Sequence, residues 1–124
     1  MVEFWETVQI IKKNIARGLP GSSAQNCMSP SLPSGLLLSR EPTSSTRDSA
    51  VLVCIYPNQQ KSTSTILIKR AVYNGAHSGQ VSFPGGKYEE SDSDITHTAL
   101  RETQEEIGIE QNRVPVFGLL RPRF

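Results

Sequence analysis

Apolar residues change their spacing along the chain, and each spacing predicts one kind of element. Within residues 2–17 they recur at helical intervals up to Gly18, which indicates an amphipathic helix. Residues 50–56 form a continuous apolar run rich in β-branched side chains, typical of a strand buried on both faces. The other predicted elements are strands at 64–70, 80–83 and 113–120, and a hairpin connection at 57–61.

Residues 83–109 carry the most informative pattern. A predicted turn at 84–86 contains two glycines, which let the backbone approach another group closely. An acidic loop then leads into a helix predicted at 93–107, with Gly108 in the position of a left-handed cap. At about 100° per residue, the helical projection puts Arg101 on the solvent side.

Glu102, Glu105 and Glu106 share one face of this helix and border its apolar arc. Like carboxylates one turn apart destabilise a helix by roughly a few tenths of a kcal/mol, and partial burial strengthens their repulsion. A hard divalent cation such as Mg²⁺ binds carboxylate oxygens and relieves it. The pattern therefore favours a metal site, with a solvated acidic face as the alternative.

Charge is distributed unevenly over the 124 residues, although the formal net charge is only +1. Eight of the 12 acidic residues lie between positions 87 and 110, against two basic ones. This asymmetry predicts a pocket for a metal and an anionic small molecule, and no nucleic-acid surface. Cys27 and Cys54 form no motif, which predicts reduced thiols. Without a signal-peptide pattern or a membrane-length apolar run, the sequence predicts a cytoplasmic protein with no membrane partner.

The sequence divides into two predicted regions. Residues 1–49 are expected to hold the N-terminal helix and an irregular wrapped segment, because 19–49 is rich in Ser, Pro and Gly without a clear period. Residues 50–124 are expected to form an α/β domain. The chain ends soon after the last predicted strand, so the domain is either minimal or cut short.

Residues 86–109 resemble a Nudix box, in which a glycine, five residues, a glutamate and seven residues precede R-E-U-x-E-E-x-G-U, with U apolar. The second half matches residue by residue, except that Thr103 occupies the first apolar position. In the first half, fourteen residues separate Gly86 from Arg101, where the general box has thirteen. The nearest acid is Asp92, nine residues before the arginine rather than eight.

The coenzyme A diphosphatase branch of the family carries such an extended box, together with an upstream signature, L-L-T-x-R-[SA]-x3-R-x3-G-x3-F-P-G-G. Residues 66–86 match that signature in register through Arg70, a glycine and the Phe-Pro-Gly-Gly run. Ile68 replaces its threonine, and Gly75 replaces its second arginine. The chain is therefore similar to this branch.

The resemblance implies a Nudix-like α/β/α sandwich with a mixed sheet, lacking its C-terminal strands and helix. It implies hydrolysis of the diphosphate of coenzyme A or acyl-CoA with Mg²⁺ or Mn²⁺, giving phosphopantetheine and adenosine 3′,5′-bisphosphate. One alternative is a Nudix hydrolase of ADP-ribose, a dinucleotide or an oxidised nucleotide. Another is a truncated, inactive nucleotide-binding module. An exposed sheet edge would favour self-association, for example as a homodimer.

The resemblance also implies roles for individual residues. The expected metal ligands are Glu102, Glu105, Glu106 and the carbonyl of Gly86. The expected catalytic group is Glu102, Glu105 and Arg101, in which the arginine orients Glu105 and does not touch substrate. The alternative for Arg101 is an ordinary surface pair with Glu105 at i, i+4. The expected contacts to substrate phosphate are Arg70 and Lys87, with ordinary surface cations as the alternative. The two histidines, His77 and His97, are expected to be surface residues rather than ligands.

Overall fold

The part of the chain that the structure describes contains three α-helices and six short strands, joined by turns and loops. The structure is a computed structural model, and it describes residues 3–28, 42, 44–72, 74 and 78–120. The elements are α1 Phe4–Arg17, α2 Ser22–Cys27, β1 Ser49–Val51, β2 Ile55–Pro57, β3 Thr63–Thr65, β4 Ile68–Lys69, β5 Val81–Ser82, β6 Gly85–Lys87, α3 Ile95–Ile107 and a 3₁₀ turn at Gln111–Arg113. This content confirms the predicted α/β class.

The chain divides into two compact units. The first comprises Met1–Thr7 and Arg47–Val116, and it contains α3 and the six strands. The second comprises Val8–Thr46 and Phe117–Phe124. Within the second unit, the Lys12 ammonium lies 4.7 Å from the centre of the Phe117 ring, a cation–π contact. The boundary predicted between residues 49 and 50 stays a prediction.

The N-terminal helix begins near its predicted position, where the Phe4 N–H donates to the Lys61 carbonyl at 3.0 Å. Phe4 is 9% exposed, whereas its neighbour Trp5 is 69% exposed. α2 lies inside the segment that was predicted to be irregular, so that prediction was wrong there. Its six residues, SSAQNC, carry no apolar stripe that periodicity could detect. Among the described residues, no helix is long and apolar enough to cross a membrane.

The strands form three two-stranded sheets, each antiparallel. β1 pairs with β6, β2 with β3, and β4 with β5. The strands that the structure describes therefore show antiparallel pairing only, where the resemblance implied a mixed sheet. The strand predicted at 80–83 is confirmed as β5.

The apolar run at 50–56 is not the single strand that was predicted. It supplies β1 and then β2, and the two strands pair with different partners. Burial on both faces was also wrong, since Val51 and Val53 are 52% and 46% exposed. An apolar run shows that strand propensity is high, but the choice of partner strands decides where pairing stops. The strand predicted at 64–70 divides into β3 and β4 in the same way.

The hairpin between β2 and β3 is confirmed. The Asn58 side-chain oxygen accepts from the N–H groups of Gln60 and Ser62, each at 3.0 Å, and so closes the turn. The strand predicted at 113–120 was wrong. Gln111–Arg113 forms a 3₁₀ turn there, and residues 114–120 have no regular structure.

The helix α3 is confirmed to within two residues at its start. The Asp94 carboxylate caps its first turn by accepting from the His97 N–H at 2.8 Å. Gly108 ends it with φ 73° and donates to the Gln104 carbonyl, as a left-handed cap requires. The helix packs against β1 and β6. Its buried side chains are Thr98, Ala99 and Thr103.

The two glycines before the acidic loop lie in a strand, β6, and not in the predicted turn. The predicted close approach is nevertheless confirmed. Gly85 has φ 149°, and a Cβ placed there would overlap the carbonyl of Ala50 and the Cα of Val51 on the paired strand. Only glycine allows β6 to lie this close to β1.

We expect Gly85→Ala to lower the free energy of unfolding by roughly 3 kcal/mol or more, because it combines backbone strain with a clash. Gly108→Ala is the matched control, since Gly108 also has positive φ but nothing lies within 4 Å of its added Cβ. It should cost about 1–2 kcal/mol. Urea denaturation measures both losses, and equal losses would contradict the close approach.

Candidate active site

Strand β6 brings two backbone groups against the carboxylates of α3. The Gly85 N–H donates to Glu106 Oε2 at 2.8 Å. At the next residue, a Cβ on Gly86 would overlap the carboxylate of Glu102. The missing side chain at Gly86 is therefore what lets Glu102 lie against the strand, and the role of the Gly86 carbonyl as a metal ligand stays a prediction.

The guanidinium of Arg101 is the centre of the site. Its Nε and Nη2 donate to the two oxygens of Asp92, at 2.8 and 3.0 Å. Nη2 also donates to the Lys87 carbonyl at 2.9 Å. Nη1 lies 3.2 Å from Glu102 Oε1 and 3.3 Å from Glu105 Oε1. The prediction of a solvent-facing Arg101 was wrong, because its side chain is 14% exposed.

The Arg101 guanidinium contacts Glu105, as its predicted orienting role requires, but its shortest hydrogen bonds are with the loop and with β6. The bidentate hydrogen bonds to Asp92 are charge-assisted, and they raise the pKa of Arg101 above its ordinary value. The arginine therefore keeps its charge while it joins the acidic loop to two carboxylates on its own helix.

Asp92 is the functional residue that the sequence did not assign. Its carboxylate is fully buried and accepts from the Thr98 hydroxyl at 2.9 Å and the Glu89 N–H at 3.0 Å, besides Arg101. Hydrogen bonding from Arg101 holds the pKa of Asp92 well below its usual range, against the opposing effect of burial. The signal was that Asp92 is the acid nearest to the position, eight residues before the arginine, where the general box has its glutamate.

The three glutamates have different surroundings. The Glu102 side chain is 19% exposed and that of Glu105 is 59% exposed, and Glu106 is also exposed. Glu102 and Glu105 face Arg101, whereas Glu106 faces the Gly85 N–H. Among residues within the described ranges, no group of three or more His, Cys, Asp or Glu side chains lies close enough to hold a metal ion. The predicted ligands thus share one face, with their oxygens directed to protein donors.

The two predicted substrate cations lie in different places. The Lys87 carbonyl accepts from Arg101, and its backbone pairs with Ser49 in β1, so Lys87 borders the carboxylates. Arg70 belongs to the β4–β5 hairpin, where its Nε donates to Ser82 Oγ at 3.3 Å and its backbone N–H bonds the Gln80 carbonyl. The structure records no contact of Arg70 with the described glutamates.

Of the two histidines, His97 lies within the described residues. His97 is 37% exposed, and its Nδ1 lies 3.0 Å from Asp92 Oδ1. That contact lacks hydrogen-bond geometry, so within the described residues Nδ1 makes no hydrogen bond. His77 and Gly75 lie outside the described residues. The two cysteines are free thiols, as predicted.

Comparison with known proteins identifies the family. Residues 46–124 match the NUDIX domain, a stretch that includes β1 to α3 and every residue of the site. The chain belongs to the Nudix family. The resemblance of its box and the strand–loop–helix arrangement of its glutamates agree with this assignment.

Three relatives show how far this Nudix chain matches. Mitochondrial coenzyme A diphosphatase NUDT8 of Mus musculus is 58% identical over 48 residues, 39% of this chain and 23% of that protein. Nudix hydrolase 22, chloroplastic, of Arabidopsis thaliana is 43% identical over 76 residues, which cover 61% of this chain and 25% of that protein. Uncharacterized Nudix hydrolase NudL of Shigella flexneri is 38% identical over 85 residues, which cover 68% of this chain and 43% of that protein. The chain thus spans less than half the length of these curated relatives.

We expect Asp92→Asn to destabilise this Nudix domain with a pH dependence of defined sign. Because the pKa of Asp92 is depressed in the folded state, its contribution to the free energy of unfolding is complete at pH values above its pKa in the unfolded chain, about 3.9. It is lost progressively as the pH falls below that value. The difference in unfolding free energy between wild type and variant should be constant above about pH 5 and shrink below about pH 4.

Urea denaturation between neutral pH and the acid limit of folding measures this difference. Glu90→Gln, at an exposed acid in the same loop, is the control and should show no comparable loss at neutral pH. A wild-type-to-Asp92→Asn difference that does not shrink at low pH would contradict the paired, ionised Asp92.

Proposed function

We propose that this Nudix protein hydrolyses the diphosphate of coenzyme A or acyl-CoA, releasing phosphopantetheine and adenosine 3′,5′-bisphosphate. The observation that carries the proposal is the convergence of Glu102 and Glu105 on Arg101, beside Gly86, inside the stretch that matches the NUDIX domain. Water adds to one phosphorus and forms a new P–O bond. The bond to the bridging oxygen breaks, and the leaving phosphate keeps its electron pair.

By chemical type the donor set suits a divalent cation, although side-chain rotation would have to bring the described carboxylates closer together to hold one. The groups that would hold Mg²⁺ or Mn²⁺ are the carboxylates of Glu102, Glu105 and Glu106 and the carbonyl of Gly86. All are oxygen donors, which hard cations prefer, and the missing side chain at Gly86 makes room for the Glu102 carboxylate. When bound, such an ion neutralises phosphate charge and makes the attacking water more acidic.

The chain's own groups have separate tasks in this proposal. Glu102 accepts the proton of the attacking water, because its side chain is less exposed than that of Glu105. Arg101 holds both carboxylates in place through Nη1 and does not touch substrate. Lys87 and Arg70 provide positive charge for the substrate phosphates.

The coenzyme A part of the proposal rests on two supports. One is the upstream signature that residues 66–86 follow. The other is the 48-residue match to proteins whose names read mitochondrial coenzyme A diphosphatase, at 58% identity in both Mus musculus and Homo sapiens. One departure favours a second candidate, hydrolysis of another nucleoside diphosphate such as ADP-ribose. Gly75 supplies no cation where the signature has its second arginine.

Incubation of the full chain with coenzyme A and Mg²⁺ tests the proposal. We expect product to form with wild type and to fall by roughly a hundredfold in Glu106→Gln, because the variant loses one anionic ligand of the metal. Glu110→Gln is the matched control, since Glu110 is an exposed acid outside the carboxylate group and should keep wild-type turnover. Chromatography of adenosine 3′,5′-bisphosphate and phosphopantetheine measures the rate.

The outcomes separate the candidates. Equal product from wild type and Glu106→Gln would remove the proposed metal role of this glutamate. Product from ADP-ribose but not from coenzyme A would favour the second candidate. If neither substrate reacts while Mn²⁺ still binds, the result would contradict the proposed hydrolase and favour a truncated, inactive nucleotide-binding module.

A further inference from the structure

Two buried threonines on α3 make different use of their hydroxyl groups. Thr98 is 0% exposed, and its Oγ1 donates to Asp92 Oδ2 at 2.9 Å. Thr103 is 1% exposed, and its Oγ1 donates to the carbonyl of Ala99 at 2.6 Å, one turn back on the same helix. The Thr98 hydroxyl therefore bonds the loop that carries Asp92, whereas the Thr103 hydroxyl bonds a carbonyl of its own helix.

The proton of the Thr98 hydroxyl has one good acceptor. The carbonyl of Asp94 is also near, at 3.4 Å, but it already accepts from the Thr98 backbone N–H at 3.1 Å. The carboxylate of Asp92 is closer and ionised, and an ionised carboxylate can only accept hydrogen bonds. The hydroxyl must therefore donate to Asp92.

The donors around Asp92 fix the plane of its carboxylate. Oδ2 accepts from the Glu89 N–H on the loop side and from the Thr98 hydroxyl on the helix side. With its plane held from both sides, the carboxylate presents its two oxygens to Nε and Nη2 of Arg101. His97 does not substitute for Thr98, because its contact with the other oxygen lacks hydrogen-bond geometry.

We propose that Thr98 is a positioning residue for the carboxylates of the site, acting through Asp92 and then Arg101. The inference rests on the proposed function, because it treats Glu102 and Glu105 as the groups that Arg101 must hold. Without the hydroxyl, Asp92 loses its helix-side donor while buried, and Arg101 turns more freely about its side-chain bonds. Nη1 then holds the two glutamates less firmly.

Thr98→Val tests this with little change in shape, and Thr103→Val makes the same substitution at the other buried threonine. The full 124-residue chain is used, and Mn²⁺ is the probe, followed by electron paramagnetic resonance. We expect Thr98→Val to weaken Mn²⁺ binding about three- to tenfold, less than the roughly 10–100-fold cost of losing a group bonded directly to a metal ligand, because Thr98 acts through Asp92 and Arg101. Thr103→Val should bind Mn²⁺ as wild type does, and Thr98→Ser should restore most of the affinity.

A second readout needs no metal. Exchange of the Arg101 Nε–H with water, followed by nuclear magnetic resonance, should be faster in Thr98→Val than in Thr103→Val, because its bond to Asp92 is loosened. Mn²⁺ affinity and exchange that are the same in both valine variants would overturn the inference, as would failure of Thr98→Ser to restore them. Wild type that binds no Mn²⁺ would overturn it too. Loss of coenzyme A hydrolysis alone, with these differences intact, would overturn only the proposed function.

Discussion

The pair formed by Asp92 and Arg101 is the interaction on which the site depends. A buried carboxylate without a partner would be costly, and here it has hydrogen-bond donors on both oxygens. Together with the Thr98 hydroxyl, the pair holds the acidic loop against the side of α3. Because Arg101 also reaches Glu102 and Glu105, the position of the loop and the orientation of these glutamates are set by one guanidinium.

The acidic loop is folded so that Asp92 reaches Arg101. An aspartate side chain is one methylene shorter than a glutamate, so its backbone must come close to the guanidinium. A turn brings it there: the Asp92 N–H bonds the Glu89 carbonyl at 2.9 Å, and the Glu89 N–H returns to the Asp92 carboxylate at 3.0 Å. This turn thus brings the short side chain of Asp92 within bidentate reach of Arg101.

The sequence predicted best the features that depend on local rules. The helix α3 and its left-handed cap at Gly108 follow from spacing and from glycine's freedom at positive φ. The three carboxylates on one face of α3 also followed from spacing, and the metal site that they predict stays a prediction. Strand boundaries did not follow, since the run at 50–56 changes partner at a point that only the paired strands determine. The burial of Arg101 was missed because a projection assigns a direction to the Cα and not to the end of a long side chain.

The environment of the glutamates also bears on how a cation would be accommodated. Three carboxylates on one helical face repel one another, and in this structure a positive guanidinium and a backbone N–H offset that repulsion. Arg101 bonds strongly to Asp92 and only at 3.2 Å or more to Glu102 and Glu105. A cation that takes oxygens from these two glutamates would therefore displace the weaker contacts of Arg101 and leave its bonds to the loop intact. The bonds of Arg101 to Asp92 and to the Lys87 carbonyl do not involve the glutamates, so they can join the loop and β6 to α3 with or without the ion.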